Sequence, residues 1–167
     1  MMPLPRAARL AARLESLLNG LMAVALVVMF GSMLYQVFAR YVLDHAPSWS
    51  EELARYLMVW MTMLGSAAVL RGAGHISVTT LVDSLPPAAL AVVLALRDAA
   101  LVATSGVLAW WGVQFAHMNG VQESAAMEIP MSIPYAALPA GAVLIILMVL
   151  LARLAGGTFQ ATAGENI

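Results

Sequence analysis

Glu51, Glu52 and Arg55 stand together ahead of an apolar run. On a helix, Glu51 and Arg55 are i, i+4 and Glu52 and Arg55 are i, i+3, so one guanidinium reaches either carboxylate. Gln36 and Arg40 are also i, i+4 and could share one polar network with them if two helix ends meet. The plain reading is a solvated first turn. The sharper one starts from the shortness of the following run, which draws these charges toward the hydrocarbon edge, where they are best tolerated when paired inside a protein contact. The expected role is then structural, in helix packing or partner docking. The three histidines, His45, His75 and His117, raise a haem or metal site of the kind four-helix membrane anchors hold between facing helices. Their positions place no two at matching depth, and each reads as an interfacial side chain with an apolar ring and a polar tip. With no cysteine, disulfides, thiolate metal sites and cysteine nucleophiles are excluded. The mid-span polar groups, Ser32, Thr62, Ser66, Thr104 and Ser105, are hydroxyls that bond their own helix or a neighbouring one. The chain therefore offers no catalytic residue, substrate site, metal ligand or cofactor site.

The elements that carry these residues follow from composition. Of 167 residues, 62% are hydrophobic and 10% charged, against about 45–50% and about 25% in a soluble domain. So few charges cannot cover a water-facing surface, and the bilayer must be the solvent. A net charge of -1 with scattered signs leaves no basic patch for nucleic acid. Charge-free runs over Ser16–Ala39, Tyr56–Leu70, Ala99–Gln122 and Ile129–Ala152 predict an all-α integral membrane protein with four transmembrane helices. The second run gives only about 22 Å of helix at 1.5 Å per residue. It reaches spanning length by starting near Ser48, where Ser48 and Glu51 have capping-box spacing. The spans are expected over about 16–39, 48–70, 97–118 and 131–152, in a single membrane domain of residues 1–156. The first exceeds the 7–15 residues of a secretory signal core and reads as a retained anchor.

The arginine distribution predicts both termini in the cytoplasm, with Arg6, Arg9, Arg13, Arg71, Arg97 and Arg153 inside and Arg40 and Arg55 outside. Aromatic residues, including Tyr35, Trp49, Tyr56, Trp110 and Tyr135, collect toward the outer side. Val78, Leu81, Val82 and Leu85 fall at i, i+3, i+4 and i+7 and predict a short amphipathic helix over about 75–85 on the cytoplasmic face. Pro86-Pro87 ends it, and residues 157–167 form a polar tail. Gly65, Ser66, Ala67 and Ala68, with Gly106 and Gly112, give small-residue faces for close helix approach. Pro130 or Pro134 marks the start of the last span, and Pro139 is placed to kink it.

Read in order, Gln36-x-x-x-Arg40-Tyr41, Trp49-x-Glu51-Glu52-x-x-Arg55, Trp60, Gly65, Arg71-x-Gly-x-His75-Ile76-x-Val78-x-x-Leu81 and Pro134-Tyr135-x-x-x-Pro139 resemble one family. It is the small membrane subunit, of DctQ type, of tripartite ATP-independent periplasmic (TRAP) transporters, and the resemblance runs from about Leu17 to Leu151. Thr79 departs from it, standing where the family often has an acidic residue; Asp83 lies one turn later. The resemblance implies a non-enzymatic subunit of the bacterial inner membrane that scaffolds a large permease subunit, while a periplasmic substrate-binding protein delivers an organic acid, often a carboxylate, for sodium-driven uptake. It implies sodium and substrate sites in the large subunit. It also marks Gln36, Arg40, Trp49, Glu51, Glu52 and Arg55 as structural or partner-interface residues, and His75, Ile76, Val78 and Leu81 as fixing the inner-surface helix. Two other readings remain: a membrane anchor of a redox enzyme binding haem or quinone, and an autonomous small channel.

Overall fold

The computed structural model describes residues 5–45, 47–72 and 86–155. The expected interfacial helix with His75, Ile76, Val78 and Leu81, together with Thr79, Asp83 and the tail, lies outside the described residues. The regular structure among those described is helical: α1 (Pro5–Val42), α2 (Trp49–Gly72), α3 (Pro87–Met118), the single turn α4 (Ser132–Tyr135) and α5 (Ala137–Leu154). Four helices are long and apolar enough to cross a membrane, α4 and α5 together forming the fourth.

Each boundary has a local cause. α1 runs well beyond its charge-free stretch because the Ala, Leu and Arg residues of its first turns are strong helix formers. At 38 residues it is about 57 Å long, against about 30 Å of hydrocarbon. It ends in a left-handed turn: Asp44 has φ 51°, and the His45 N–H reaches back to the Ala39 carbonyl at 3.1 Å, closing a Schellman-type cap. α2 starts as expected, but the capping box does not form. Among the described residues Ser48 makes no side-chain hydrogen bond, whereas the fully buried Ser50 donates to the Pro47 carbonyl at 2.8 Å. Pro86 is extended before Pro87 opens α3, where a missing N–H costs nothing. α4 and α5 meet at Ala136, which keeps helical dihedrals. The interruption follows from Pro139, which has no N–H to offer the Tyr135 carbonyl.

The helices form an elongated cross-section rather than a closed square. α1, α2 and α5 pack on one another, and α3 is added on the far side of α5, touching it and α4. Small residues set each approach. A Cβ at Gly65 of α2 would meet the Met22 sulfur of α1 at 3.2 Å, one at Gly141 of α5 would lie 2.6 Å from Met63 Cβ of α2, and one at Gly112 of α3 would lie 2.9 Å from Pro139 Cδ of α5. Gly106, by contrast, has open space before it. Leu18, Ala67 and Ala68 form the buried core, flanked by Leu14, Met22, Leu64, Leu144 and Ile145.

α3 is attached at a second level by charge. Asp98, nearly buried, accepts from Arg97 of its own helix at 3.0 and 2.8 Å and from Arg153 of α5. Arg153 also donates to the Leu94 carbonyl of α3 at 3.1 Å. The two arginine side chains remain 39% and 43% exposed, so the carboxylate is buried while its partners reach the surface.

Three substitution outcomes follow. Gly141→Ala should destabilise the fold by about 1–3 kcal/mol, because the new methyl meets the root of Met63 rather than a movable tip. Gly106→Ala should stay within about 0.5 kcal/mol. Asp98→Asn should cost about 1–3 kcal/mol, limited by the exposure of both guanidiniums. Reversible unfolding in detergent ranks the three.

Candidate functional site

The polar residues singled out by spacing gather where α1 ends, α2 begins and the 119–131 connection crosses over. Gln36, 9% exposed on α1, donates from Nε2 to Glu51 Oε1 of α2 at 2.8 Å, joining the two helices. Tyr35 and Trp49 stack beside this bond, with centroids 6.0 Å apart and planes 25° from parallel. These contacts bridge the short turn between α1 and α2.

Glu52 reaches the other way. Its Oε2 accepts from the backbone N–H groups of Ala126 and Met127 at 2.9 and 3.0 Å, and its Oε1 accepts from the Tyr56 hydroxyl one turn later. Tyr56 also lies 3.3 Å from the Met131 sulfur. A carboxylate accepting two adjacent amides is a charge-assisted grip on a loop backbone. The loop is itself closed: Glu123 bridges Pro130, Ser124 and Ile129 pair at 2.9 Å, and Met131 donates to the Gln122 carbonyl at 2.8 Å. Glu128 completes the reversal in the left-handed region, with φ 54°. Phe115 and Tyr135 meet edge-on at 4.7 Å where α3 gives way to α4.

Glu51 thus turns one oxygen to Gln36, Glu52 turns its oxygens to Tyr56 and the loop amides, and Arg55 forms an ion pair with neither. Arg55 and Arg40 are exposed, and Arg40 stays outside the network that the i, i+4 spacing with Gln36 suggested. His45 follows α1 and His117 closes α3, both at this end of the molecule. Of the residues marked in the sequence, the structure brings together Gln36, Trp49, Glu51 and Glu52. The sequence reading missed the grip of Glu52 on Ala126 and Met127, the help of Tyr56, and Asp98–Arg153 at the opposite end. The last had a usable signal, since opposite charges border two adjacent antiparallel spans. The loop amides carry no side-chain signal at all.

Replacing Glu52 with alanine should therefore free the 119–131 connection before it affects the helices. Hydrogen exchange at the Ala126 and Met127 amides should accelerate, with a smaller acceleration in Tyr56→Phe; unchanged exchange in both would show that the loop holds itself.

Comparison with known proteins supplies the identity of this arrangement. Residues 29–158 match the family described as tripartite ATP-independent periplasmic transporters, DctQ component. The small permease protein of a sialic acid TRAP transporter from Vibrio cholerae serotype O1 is 30% identical over 80% of this chain and 79% of its own length. The small permease protein of a C4-dicarboxylate TRAP transporter from Rhodobacter capsulatus is 33% identical over 56% of this chain and 42% of its own. A longer protein, the isethionate TRAP transporter permease protein of Oleidesulfovibrio alaskensis, is 26% identical over 74% of this chain, which spans 20% of it. With a matching family over most of its length and four helices fit to cross a bilayer, the chain belongs to the DctQ component of the TRAP transporters, as a multi-pass small permease subunit and not an enzyme.

Proposed function

We propose that the subunit is a static scaffold for a large permease in the bacterial inner membrane, with both termini cytoplasmic. The permease carries out sodium-driven uptake of an organic acid delivered by a periplasmic binding protein. The observation that carries this reading is the placement of the charges. Asp98 and Arg153 are satisfied at one end and Glu51 and Glu52 at the other, each in a contact that fixes helices or a loop. Between those ends the spans hold hydroxyls: Ser32, Thr62 and Ser66 bond the carbonyls of Met29, Met58 and Thr62 at 2.8, 2.8 and 2.7 Å. Ion pathways need ionisable or carbonyl-rich interiors, so coupling ion and substrate are assigned to the partner chain. The relatives support an organic anion as substrate, since their names give sialic acid, a C4-dicarboxylate and isethionate. The long isethionate permease, in which a segment like this chain is joined to a much larger remainder, supports the pairing with a large subunit. The redox-anchor reading draws no support from the relatives.

In this reading Gln36, Arg40, Trp49, Glu51, Glu52 and Arg55 form the end of the subunit that faces the permease or the docked binding protein. His75, Ile76, Val78 and Leu81 fix the inner-surface helix. The tagged subunit, extracted gently from its native membrane, should bring down a many-spanning permease in about equal amount, as obligate membrane partners do. Uptake by the reconstituted complex should cease when the sodium gradient is collapsed. The Glu51→Ala, Arg55→Ala double variant should weaken both assembly and uptake; undiminished assembly and uptake would remove this end from the interface.

A further inference from the structure

Among the described residues, α2 packs on other helices through two of its three sides. Through Gly65 it meets α1 and through Met63 it meets α5. The third side carries Glu51, Arg55, Met58, Thr62, Ser66 and Val69, spaced i, i+4, i+7, i+11, i+15 and i+18, and all six are exposed. At 3.6 residues per turn they fall on one narrow strip. Met58 is 56% and Val69 59% exposed, so the strip is open along its whole length.

Its chemistry is wrong for lipid. The outward residues of α1 and α5 are aliphatic, among them Val24, Val27, Val143, Leu147 and Leu150, and acyl chains suit them. α2 packs against two helices yet is the least hydrophobic of the four spans, and its mid-span hydroxyls, Thr62 and Ser66, lie on the open side. Thr62 and Ser66 donate to the Met58 and Thr62 carbonyls of their own helix, so neither hydroxyl needs a partner from outside. Small and hydroxyl residues in such a strip let a second helix approach closely. Arg55 adds a charge requirement. Both oxygens of Glu52 are taken by Tyr56 and the loop amides, one oxygen of Glu51 accepts from the neutral Gln36 amide, and among the described residues Arg55 forms no salt bridge.

We propose that this strip of α2 receives a transmembrane helix of the large permease, which sets a carboxylate against Arg55 and packs closely over Thr62 and Ser66. The identity of the partner rests on the function proposed above; the face and its chemistry rest on the strip. α3 offers the competing surface, since its outward side carries Gly106, Trp110, Val113 and His117 over a shallow groove. That side faces away from α5 and also carries the exposed Gln114, but the groove's lining includes no Arg, Lys, Asp or Glu, so acyl chains suit it better than they suit the strip of α2.

The chain contains no cysteine, so single-cysteine variants need no altered background. Thr62→Cys and Ser66→Cys, and separately Gly106→Cys and Val113→Cys, are co-expressed with the permease and labelled in membranes with a thiol-reactive photo-crosslinker. Thr62→Cys and Ser66→Cys should join the permease, while the α3 pair should join lipid. Arg55→Gln should lower permease recovery by about tenfold, the equivalent of one charge-assisted contact, and Arg55→Lys should restore part of it. Permease adducts from α3 but not from α2 would overturn the proposal while sparing the scaffold function, as would adducts from α2 to a second copy of this chain. Failure of any permease to accompany the unmodified subunit would overturn both.

Discussion

In a bilayer, leucine against leucine is no better than leucine against an acyl chain, so helices stay together only where they come closer than lipid can. The contact of Gly141 with Met63 is that approach at the centre of this subunit. It brings α5 against α2, and Gly65 with Met22 and Gly112 with Pro139 repeat the device on either side. α1 and α3 are thereby gathered around one central pair. The buried residues confirm the pattern, for Ala67, Ala68, Ala137 and Ala142 are among the least exposed positions in the chain.

Close approach fixes distance but not register, and the two ends supply register. Glu52 ties the start of α2 to the 119–131 connection, and Asp98 ties the start of α3 to the end of α5. Each grip uses one carboxylate against several donors, so the negative charge is stabilised by more than one partner in a partly dry setting. The mid-span hydroxyls of α2, Thr62 and Ser66, lie outside these grips on its open side.

The architecture was legible in the sequence because charge-free length is a strong signal in a membrane protein. The short second run reaches spanning length with its flanks, over Trp49–Leu70, and the proline placed to kink the last span leaves it in two pieces that meet at Ala136. Pairing was less legible. Local spacing assigned Arg55 to Glu51 or Glu52, whereas both carboxylates bind groups brought near only by folding, Gln36 in one case and two loop amides in the other. Gly106 and Gly112 look equivalent in the sequence, yet only Gly112 lies under a neighbour, because Pro139 happens to cross there. Spacing along one helix reports what can meet, and the tertiary arrangement decides what does.

The placement of α3, packed on α5 and α4 on the far side from α1 and α2, has a mechanical consequence. Four cylinders in a square present a nearly round outline to the surrounding lipid, whereas this arrangement presents a long one. Viscous resistance to turning in the membrane plane rises steeply with the longest dimension of a body, so an elongated footprint turns sluggishly for its mass. Fixed to one side of another membrane protein, such a body acts as a keel: it opposes rotation of whatever it is attached to without taking part in any movement beyond that attachment.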